Sequence, residues 1–247
     1  MTNIVLLNNV DHHDLRVAIE DWAAFGAAVN QALVFPTEFE EVQRDYPIVL
    51  RREDDGSIRA TALLGLDRDE NLFLGESGWG GRYVPALLQS GPFRIGLRER
   101  DDAAPEPMIH VDLDHPAVGR DTGAPLFLPH GGNALYLDHV TRVLRRIHDG
   151  RLLAEPLYAA WAEAGLIEPI TLRLSLDETT RYDIPDCLTI GPDRLAALDG
   201  AALERLNRAG FLRPAFMVAA SLGNVSRLIE HKNARRRAER RAPAPTA

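Results

Sequence analysis

The sequence predicts an α+β fold, with a mixed, mainly antiparallel sheet or partial barrel in the N-terminal half and helices packed from the C-terminal half. Three observations support this fold class. Between residues 32 and 114, short apolar stretches of strand length are separated by turn residues such as Asp54-Asp55-Gly56. From residue 135 onward, apolar residues recur every three or four positions, which is typical of a helix with one buried face. With 247 residues, 45% of them hydrophobic, the chain can bury a substantial core.

The N-terminal half contains most of the predicted strands. Residues 32–35 form the first strand, which Pro36 ends, and Thr37 with Glu40 three residues later has capping-box spacing for a short helix to Asp45. The remaining predicted elements are strands at residues 47–52, 58–66, 71–74, 93–98 and 108–114, a glycine-rich turn at 75–81 and helical turns at 83–89.

The C-terminal half is mainly helical, with one strand pair. We predict helices at residues 135–148, 153–164, 199–210 and about 214–230, and strands at 170–176 and 181–190. Gly150 and Gly165 are expected to end the first two helices, since glycine commonly follows a helix C-terminus. Asp199 is the expected N-cap of the third helix.

Charge is distributed unevenly along the chain, between an acidic body and a basic C-terminal tail. We predict one domain over residues 1–233, followed by a basic, Ala/Pro-rich disordered tail over residues 234–247. The net charge is −8, but residues 232–241 carry +5, which leaves −13 for the remainder. Because nucleic-acid binding needs clustered cations, the acidic body disfavours a nucleic-acid partner. A homo-oligomer in which the tail contacts a neighbouring copy is left open.

Several classes of protein are disfavoured by what the sequence lacks. Lys232 is the only lysine, which argues against Walker-type phosphate loops and Schiff-base catalysis. Cys187 is the only cysteine, which excludes an intrachain disulfide and multi-cysteine zinc sites. The first residues lack the basic region of a secretion signal, and no apolar stretch reaches the ~20 residues of a membrane span. We therefore expect a cytoplasmic protein, with any association with the cell envelope made through partners.

The predicted strand at residues 108–114 carries the main candidate site. Alternation places His110, Asp112 and Asp114 on one face of this strand, where they would bind a ligand. His110 and Asp112 also match the His-x-Asp pair of non-haem iron oxygenases, in which a distant histidine completes the metal site. That third ligand would have to be His130, His139 or His148, which surround a predicted helix instead of following a late strand.

Two aromatic residues extend the candidate ligand-binding set. Trp79 lies in the glycine-rich turn and Tyr83 follows it, so this turn and the polar strand face are expected to contact a protein partner or small ligand. Trp79 is interpreted as a core or interface anchor, not as part of a cofactor cage. No cofactor is expected.

The order of several motifs resembles the SapC family along nearly the whole ordered chain. What the resemblance implies is a bacterial protein, linked by name to surface layers and serum resistance, without catalytic residues to carry over. A peptide-transport permease shares the name, but it would need spans that this chain lacks. The matching residues are Val5–Val10 (VLLNNV) with His12, Phe35-Pro36, Glu38-Phe39, Tyr46-Pro47-Ile48, Glu70-Asn71-Leu72-Phe73, Gly78-Trp79, Tyr83-Val84-Pro85, Pro92-Phe93, Ile109–Asp114 (IHVDLD), Pro125-Leu126-Phe127, Gly131-Gly132-Asn133, Ala220-Ser221-Leu222, Asn224 and Leu228-Ile229-Glu230.

Two hypotheses about function follow. The favoured one is a non-catalytic binding or accessory protein of a bacterial envelope or nutrient-uptake system. The alternative is a metal-dependent, oxygenase-like enzyme that uses His110 and Asp112 with a further histidine. The two hypotheses differ in whether the purified protein holds a stoichiometric metal.

Overall fold

The computed structural model describes residues 3–19, 28–75, 78–100 and 103–241. Contacts divide the chain into two compact units, which are described separately. Unit 1 consists of Met1–Ala27 and Ala86–Asp149, and unit 2 of Ala28–Pro85 and Gly150–Ala247. The single domain expected from the sequence stays a prediction.

The secondary structure is α+β, as the sequence predicts. The strands are β1 (Ile4–Leu6), β2 (Arg16–Val17), β3 (Gln31–Val34), β4 (Ile48–Arg52), β5 (Ile58–Leu63), β6 (Leu74–Gly75), β7 (Gly78–Trp79), β8 (Phe93–Arg100), β9 (Ala103–Asp112), β10 (Val118–Gly119), β11 (Ala124–Pro125), β12 (Ile167–Ser175) and β13 (Arg181–Ile190). The helices are α1 (Phe39–Val42), α2 (Ala86–Gln89), α3 (Leu135–Glu163), α4 (Pro192–Ala196), α5 (Gly200–Arg208), α6 (Leu212–Ser221) and α7 (Val225–Arg241). The strand pairs within the described residues are antiparallel, and the sheets are open and not closed into a barrel.

Unit 1 contains two small sheets, ordered β1-β9-β8 and β10-β2-β11. Val111 on β9 lies opposite Val5 and Phe93, so these three apolar side chains share the face that packs into the core. Leu137, from the N-terminal part of α3, is buried in the same cluster. The other face of this sheet carries His110 and Asp112.

Unit 2 is built on a five-stranded sheet with the order β12-β13-β4-β5-β3. The predicted hairpin between β4 and β5 is present, and Gly56 adopts the positive φ of 83° that its turn requires. Helix α6 packs on β4 and β13, while α7 packs against β12. The prediction that helices pack from the C-terminal half is therefore confirmed within this unit.

Helix α3 is one continuous helix where the sequence predicts two. Gly150 does not end a helix. A Cβ atom added there would lie 2.5 Å from Phe35 Cβ and 2.6 Å from Thr37 Oγ1, so glycine is needed for close packing. Gly165 does follow the helix, with a positive φ of 67°. The pattern of apolar residues alone cannot distinguish these two uses of glycine.

The capping box predicted at Thr37 and Glu40 is wrong. A 3₁₀ turn over Pro36–Glu38 precedes α1, and Glu38 Oε1 accepts a hydrogen bond from the Phe35 N–H at 3.0 Å. The acidic side chain that reaches back therefore belongs to Glu38. By contrast, Asp199 caps α5 as predicted, because its Oδ1 accepts from the Ala202 N–H at 2.7 Å.

The last predicted helix is divided into α6 and α7 by a 3₁₀ turn at Leu222–Asn224. Polar side chains hold this break against the rest of unit 2. Ser221 Oγ accepts from the Ile48 N–H at 2.9 Å, and Asn224 Nδ2 donates to the Gln43 carbonyl at 2.7 Å. These contacts explain why apolar residues spaced for one helix form two.

Helix α7 continues through Arg241, whereas the sequence predicts disorder from residue 234. Arg236 Nη1 donates to Asp177 Oδ2 at 2.8 Å, and Arg235 Nη1 donates to the Asn71 carbonyl at 3.2 Å. Residues 242–247 of the predicted tail lie outside the described residues. None of the helices in the described ranges has the length and apolar character needed to cross a membrane.

Candidate functional site

The structure places His110 and Asp112 on β9, two residues apart on the same face. Asp114 does not join them, because β9 ends at Asp112 and Asp114 lies in the following turn. The predicted strand is therefore two residues too long at this end. Asp112 is buried, and its Oδ1 accepts a hydrogen bond from the Asp114 N–H at 3.2 Å. The Asp112 carboxylate thus stabilises the turn that ends the strand.

The His110 ring lies over Gly96 of the neighbouring strand β8. A Cβ atom added to Gly96 would lie 2.4 Å from His110 Cε1, so the ring occupies the space above this glycine. His110 Nδ1 is buried without a hydrogen-bond partner among the described residues. Arg94 lies opposite His110 across the strand pair and shares its face. Packing on glycine therefore determines the position of the ring.

The metal-binding alternative needs three ligands. Across residues 3–19, 28–75, 78–100 and 103–241, no three His, Cys, Asp or Glu side chains are grouped so that they could hold a metal ion. His130, His139 and His148 therefore do not complete a triad with His110 and Asp112 in the described structure. The arrangement gives no support to the facial triad considered from the sequence.

Trp79 and Tyr83 take part in a hydrogen-bond network inside unit 2. Trp79 Nε1 donates to Tyr46 Oη at 2.8 Å, and the Tyr46 hydroxyl donates to the Tyr83 carbonyl. The Tyr83 hydroxyl donates to Glu38 Oε2 at 2.9 Å. A Cβ atom on Gly81 would lie 2.0 Å from Tyr46 Oη, so the chain can wrap around this hydroxyl only with glycine there. We call these five residues the Tyr46 network.

A buried carboxylate adjoins this network. Asp45 is fully buried, accepts a hydrogen bond from the Arg82 N–H at 2.6 Å and pairs with Arg227 of α7. Burial raises the pKa of Tyr46 well above its usual range, so its hydroxyl stays neutral and can donate. The segment after β7 therefore bonds to Glu38 and Asp45 on either side of α1, and Asp45 in turn pairs with Arg227 of α7.

A second ionic cluster lies at the middle of α7. Lys232 is 8% exposed, and its Nζ donates to Glu70 Oε1 at 2.6 Å and to Asp67. Tyr182 donates to Asp67 Oδ1 at 3.0 Å. Burial lowers the pKa of Lys232, but the hydrogen bonds to the two carboxylates outweigh it and raise the pKa above its usual value. We call Lys232, Asp67 and Glu70 the Lys232 cluster.

An open, mainly apolar cleft of about 650 Å³ lies within unit 1. It is formed by the residues after β2, by α2, by β11 with the segment that follows it, and by the first turns of α3. The described residues that line it are Ile19, Leu88, Gln89, Ala124, Pro125, Leu128, Ala134, Leu135, Tyr136 and His139. Leu135 is 87% exposed and Leu128 51%, so large apolar side chains lie at the surface here. We call this feature the unit 1 cleft.

The surroundings of the titratable groups in the cleft lining favour their neutral forms. Burial raises the pKa of Tyr136 to about 12. Burial, together with the nearby positive charge of Arg142, lowers the pKa of His139 below its usual value. The described lining contains no lysine, arginine, aspartate or glutamate. The cleft therefore combines apolar walls with neutral hydrogen-bonding groups.

Comparison with known proteins identifies the family of this chain. The SapC family model matches residues 7–228. The chain belongs to the SapC family. No curated protein and no solved structure matches it. The resemblance found in the sequence is thus confirmed, while a molecular role has to be inferred from the structure.

In this SapC chain, several motifs that are far apart in the sequence meet in the Tyr46 network. Glu38, Tyr46, Trp79 and Tyr83 come from four separate motifs and are joined by hydrogen bonds. These SapC motif residues therefore have a structural role, because their hydrogen bonds hold parts of unit 2 together. Their polar atoms are already used within unit 2, which limits what they can offer to a ligand.

The unit 1 cleft was not predicted from the sequence. Its described lining residues come from four stretches between Ile19 and His139. The available signal was local: Leu128 and Leu135 are large apolar residues beside polar, glycine-containing sequence, and each would be expected to be buried. The sequence indicates His139 as one of three candidate metal ligands, whereas the structure places it in the lining of the cleft.

Proposed function

We propose that this chain is a non-catalytic binding or accessory protein that holds a small ligand in the unit 1 cleft. The cellular setting expected for the favoured hypothesis, a bacterial envelope or nutrient-uptake system, belongs to the same proposal. A protein partner or a second copy would then respond to the bound ligand.

The observation that carries the proposal is the cleft itself. Its volume of about 650 Å³ is within the range of small-molecule sites, which are mostly apolar with a few polar groups. Monomeric proteins bury most large apolar side chains, so the exposed Leu128 and Leu135 at a concave surface favour a binding role. Trp79 and Tyr83, by contrast, are engaged within unit 2.

The test is binding of Nile red, an uncharged dye whose fluorescence rises in apolar surroundings. Leu135→Asp would place a charge at the cleft, and we expect it to weaken dye binding at least ~10-fold. Leu152→Asp is the matched control, because Leu152 is 67% exposed on the same helix but does not line the cleft. Equal binding by both variants and the unchanged protein would contradict the proposal.

The non-catalytic part of the proposal has its own test. His110, Asp112 and Asp114 remain predicted ligand contacts on and beside β9. After expression with added iron, zinc and manganese, we expect elemental analysis to find no stoichiometric metal. A metal bound one-to-one and lost in Asp112→Ala would instead support the metal-dependent alternative.

A further inference from the structure

We infer that the ligand of the unit 1 cleft is an uncharged molecule with an apolar body and a hydrogen-bonding head group that binds Tyr136 and His139. This inference rests on the proposed function and specifies the ligand's chemistry. It draws on three properties of the described lining: its charge, its hydrogen-bonding groups and its shape.

The charge of the lining favours a neutral ligand. Aliphatic carbons of Ile19, Leu88 and Leu128 form much of the wall, and no side chain with a full charge lines the described part. Moving a carboxylate or ammonium group into such surroundings is costly unless a counter-charge lies in the lining, and Arg142, whose charge acts on His139, is not one of the described lining residues. A neutral head group avoids this cost because it needs only hydrogen bonds.

The hydrogen-bonding groups define where the head group lies. Tyr136 and His139 are three positions apart on α3, so their side chains are neighbours on the helix surface. Within the described residues, the pKa values of Tyr136 and His139 are set by burial and, for His139, by the charge of Arg142, with no contribution from a hydrogen bond. The Tyr136 ring is held by an edge contact with Phe93, at 6.2 Å between centroids. The hydroxyl and the imidazole can therefore each donate or accept on one side of the cleft.

The shape of the lining favours a small molecule over a protein partner. The cleft is concave and its walls come from distinct segments, including α2 and the start of α3. Gln89 adds an uncharged amide to the described lining. An elongated aliphatic molecule with one polar end matches this distribution of apolar and polar groups.

The test compares decan-1-ol with decanoate, which have the same chain length and differ in head-group charge. Titration calorimetry with the full chain at pH 7.5 is expected to show at least ~10-fold tighter binding of the alcohol. Tyr136→Phe keeps the ring contact with Phe93 and removes the hydroxyl, so decan-1-ol should bind about 3- to 10-fold more weakly. The melting temperature of this variant should stay unchanged, which separates a binding role from a structural one.

Three outcomes would overturn the inference. The first is decanoate binding as tightly as decan-1-ol, for example by pairing with Arg142. The second is the absence of binding by either molecule up to the aqueous solubility limit of decan-1-ol, and the third is unchanged alcohol affinity in Tyr136→Phe. The Nile red comparison of Leu135→Asp with Leu152→Asp is independent of these results. If the dye binds in the cleft but the alcohol is not preferred, the proposed function stands and the ligand class is wrong.

Discussion

Replacing Lys232 with methionine tests whether the Lys232 cluster holds α7 on unit 2. Methionine has an unbranched side chain of similar length to that of lysine but carries no charge. Glu70, whose side chain is 10% exposed, would then be left as a buried carboxylate without its cation. Its Oε2 would still accept hydrogen bonds from the Leu66 N–H at 3.1 Å and the Asp67 N–H at 3.3 Å.

The expected loss is about 3 kcal/mol in the free energy of unfolding. Breaking a buried ion pair by removing one partner costs about 3–5 kcal/mol. The lower end applies because Glu70 keeps its two backbone hydrogen bonds. Asp67 adds little, since its side chain is 51% exposed and exposed ion pairs contribute about 0–1 kcal/mol. For a chain of this size, the melting temperature should fall by about 6–12 °C.

Urea unfolding followed by circular dichroism measures this loss. Arg237→Met is the matched control, because it removes a positive charge from an exposed position of the same helix and should change stability by less than ~0.5 kcal/mol. Adding Glu70→Gln to Lys232→Met should recover part of the loss, since the buried charge is then absent. A loss no larger than that of Arg237→Met, or no recovery in the double variant, would refute the reasoning.

The pH dependence provides a second measurement on the same cluster. The hydrogen bond from Lys232 lowers the pKa of Asp67, so its contribution is present above an unfolded pKa of about 3.9 and is lost as pH falls through the lower folded value. The pKa of Lys232 is raised, so its contribution is present below about 10.4 and is lost as pH rises through the higher folded value. The difference in the free energy of unfolding between the unchanged protein and Lys232→Met should therefore become smaller at both low and high pH.

Three further substitutions test the packing and capping described above, each by urea unfolding. Gly150→Ala should lose about 1–3 kcal/mol despite the higher helix propensity of alanine, because the new Cβ would lie 2.5 Å from Phe35 Cβ; a gain in stability would contradict the close packing. Tyr46→Phe should lose about 0.5–1.5 kcal/mol, since Trp79 Nε1 loses its 2.8 Å acceptor but keeps the Tyr83 carbonyl at 3.2 Å; no loss would mean that the hydroxyl is not needed. Asp199→Ala should lose about 0.5–2 kcal/mol with the cap of α5, whereas Asp199→Asn should retain most of the stability.

The elements that the sequence predicts well are those determined by local chemistry. The β4–β5 hairpin forms because Gly56 can take a positive φ, and α5 begins at Asp199 because its carboxylate caps the helix. The elements that it predicts badly are determined by distant contacts. Gly150 was expected to end a helix, but its role depends on Phe35, more than a hundred residues away in the sequence. Local patterns do not contain such contacts.

The same distinction explains the interpretation of the basic C-terminal run. From composition alone, residues 234–247 resemble a solvated tail. In the structure, arginines at 235 and 236 bond to Asn71 and Asp177 of unit 2, so part of this run belongs to helix α7. Asp177 of the acidic body thus binds an arginine of the basic run within the same chain, and a homo-oligomer in which the tail contacts a neighbouring copy stays open.

The ligand-binding residues named from the sequence stay a prediction, and none of them lines the unit 1 cleft. The sequence favours Trp79, Tyr83, His110 and Asp112 because polar and aromatic residues in such patterns often bind ligands. A residue is available to a ligand only to the extent that its polar atoms are not already bonded. The Tyr83 hydroxyl donates to Glu38 and the Asp112 carboxylate accepts from the following turn, so these groups stabilise the fold.

The polar atoms left over then indicate where a ligand would bind. Tyr136 and His139 line a cleft with apolar walls, and no hydrogen bond within the described residues contributes to the pKa of either group. A neutral hydrogen-bonding group is stable near a surface because water satisfies it, and a ligand that replaces this water must offer equivalent bonds. The motif residues and the cleft residues thus have different roles. The first set fixes the SapC fold of unit 2, and the second provides the chemistry by which unit 1 would recognise an apolar molecule with a neutral head group.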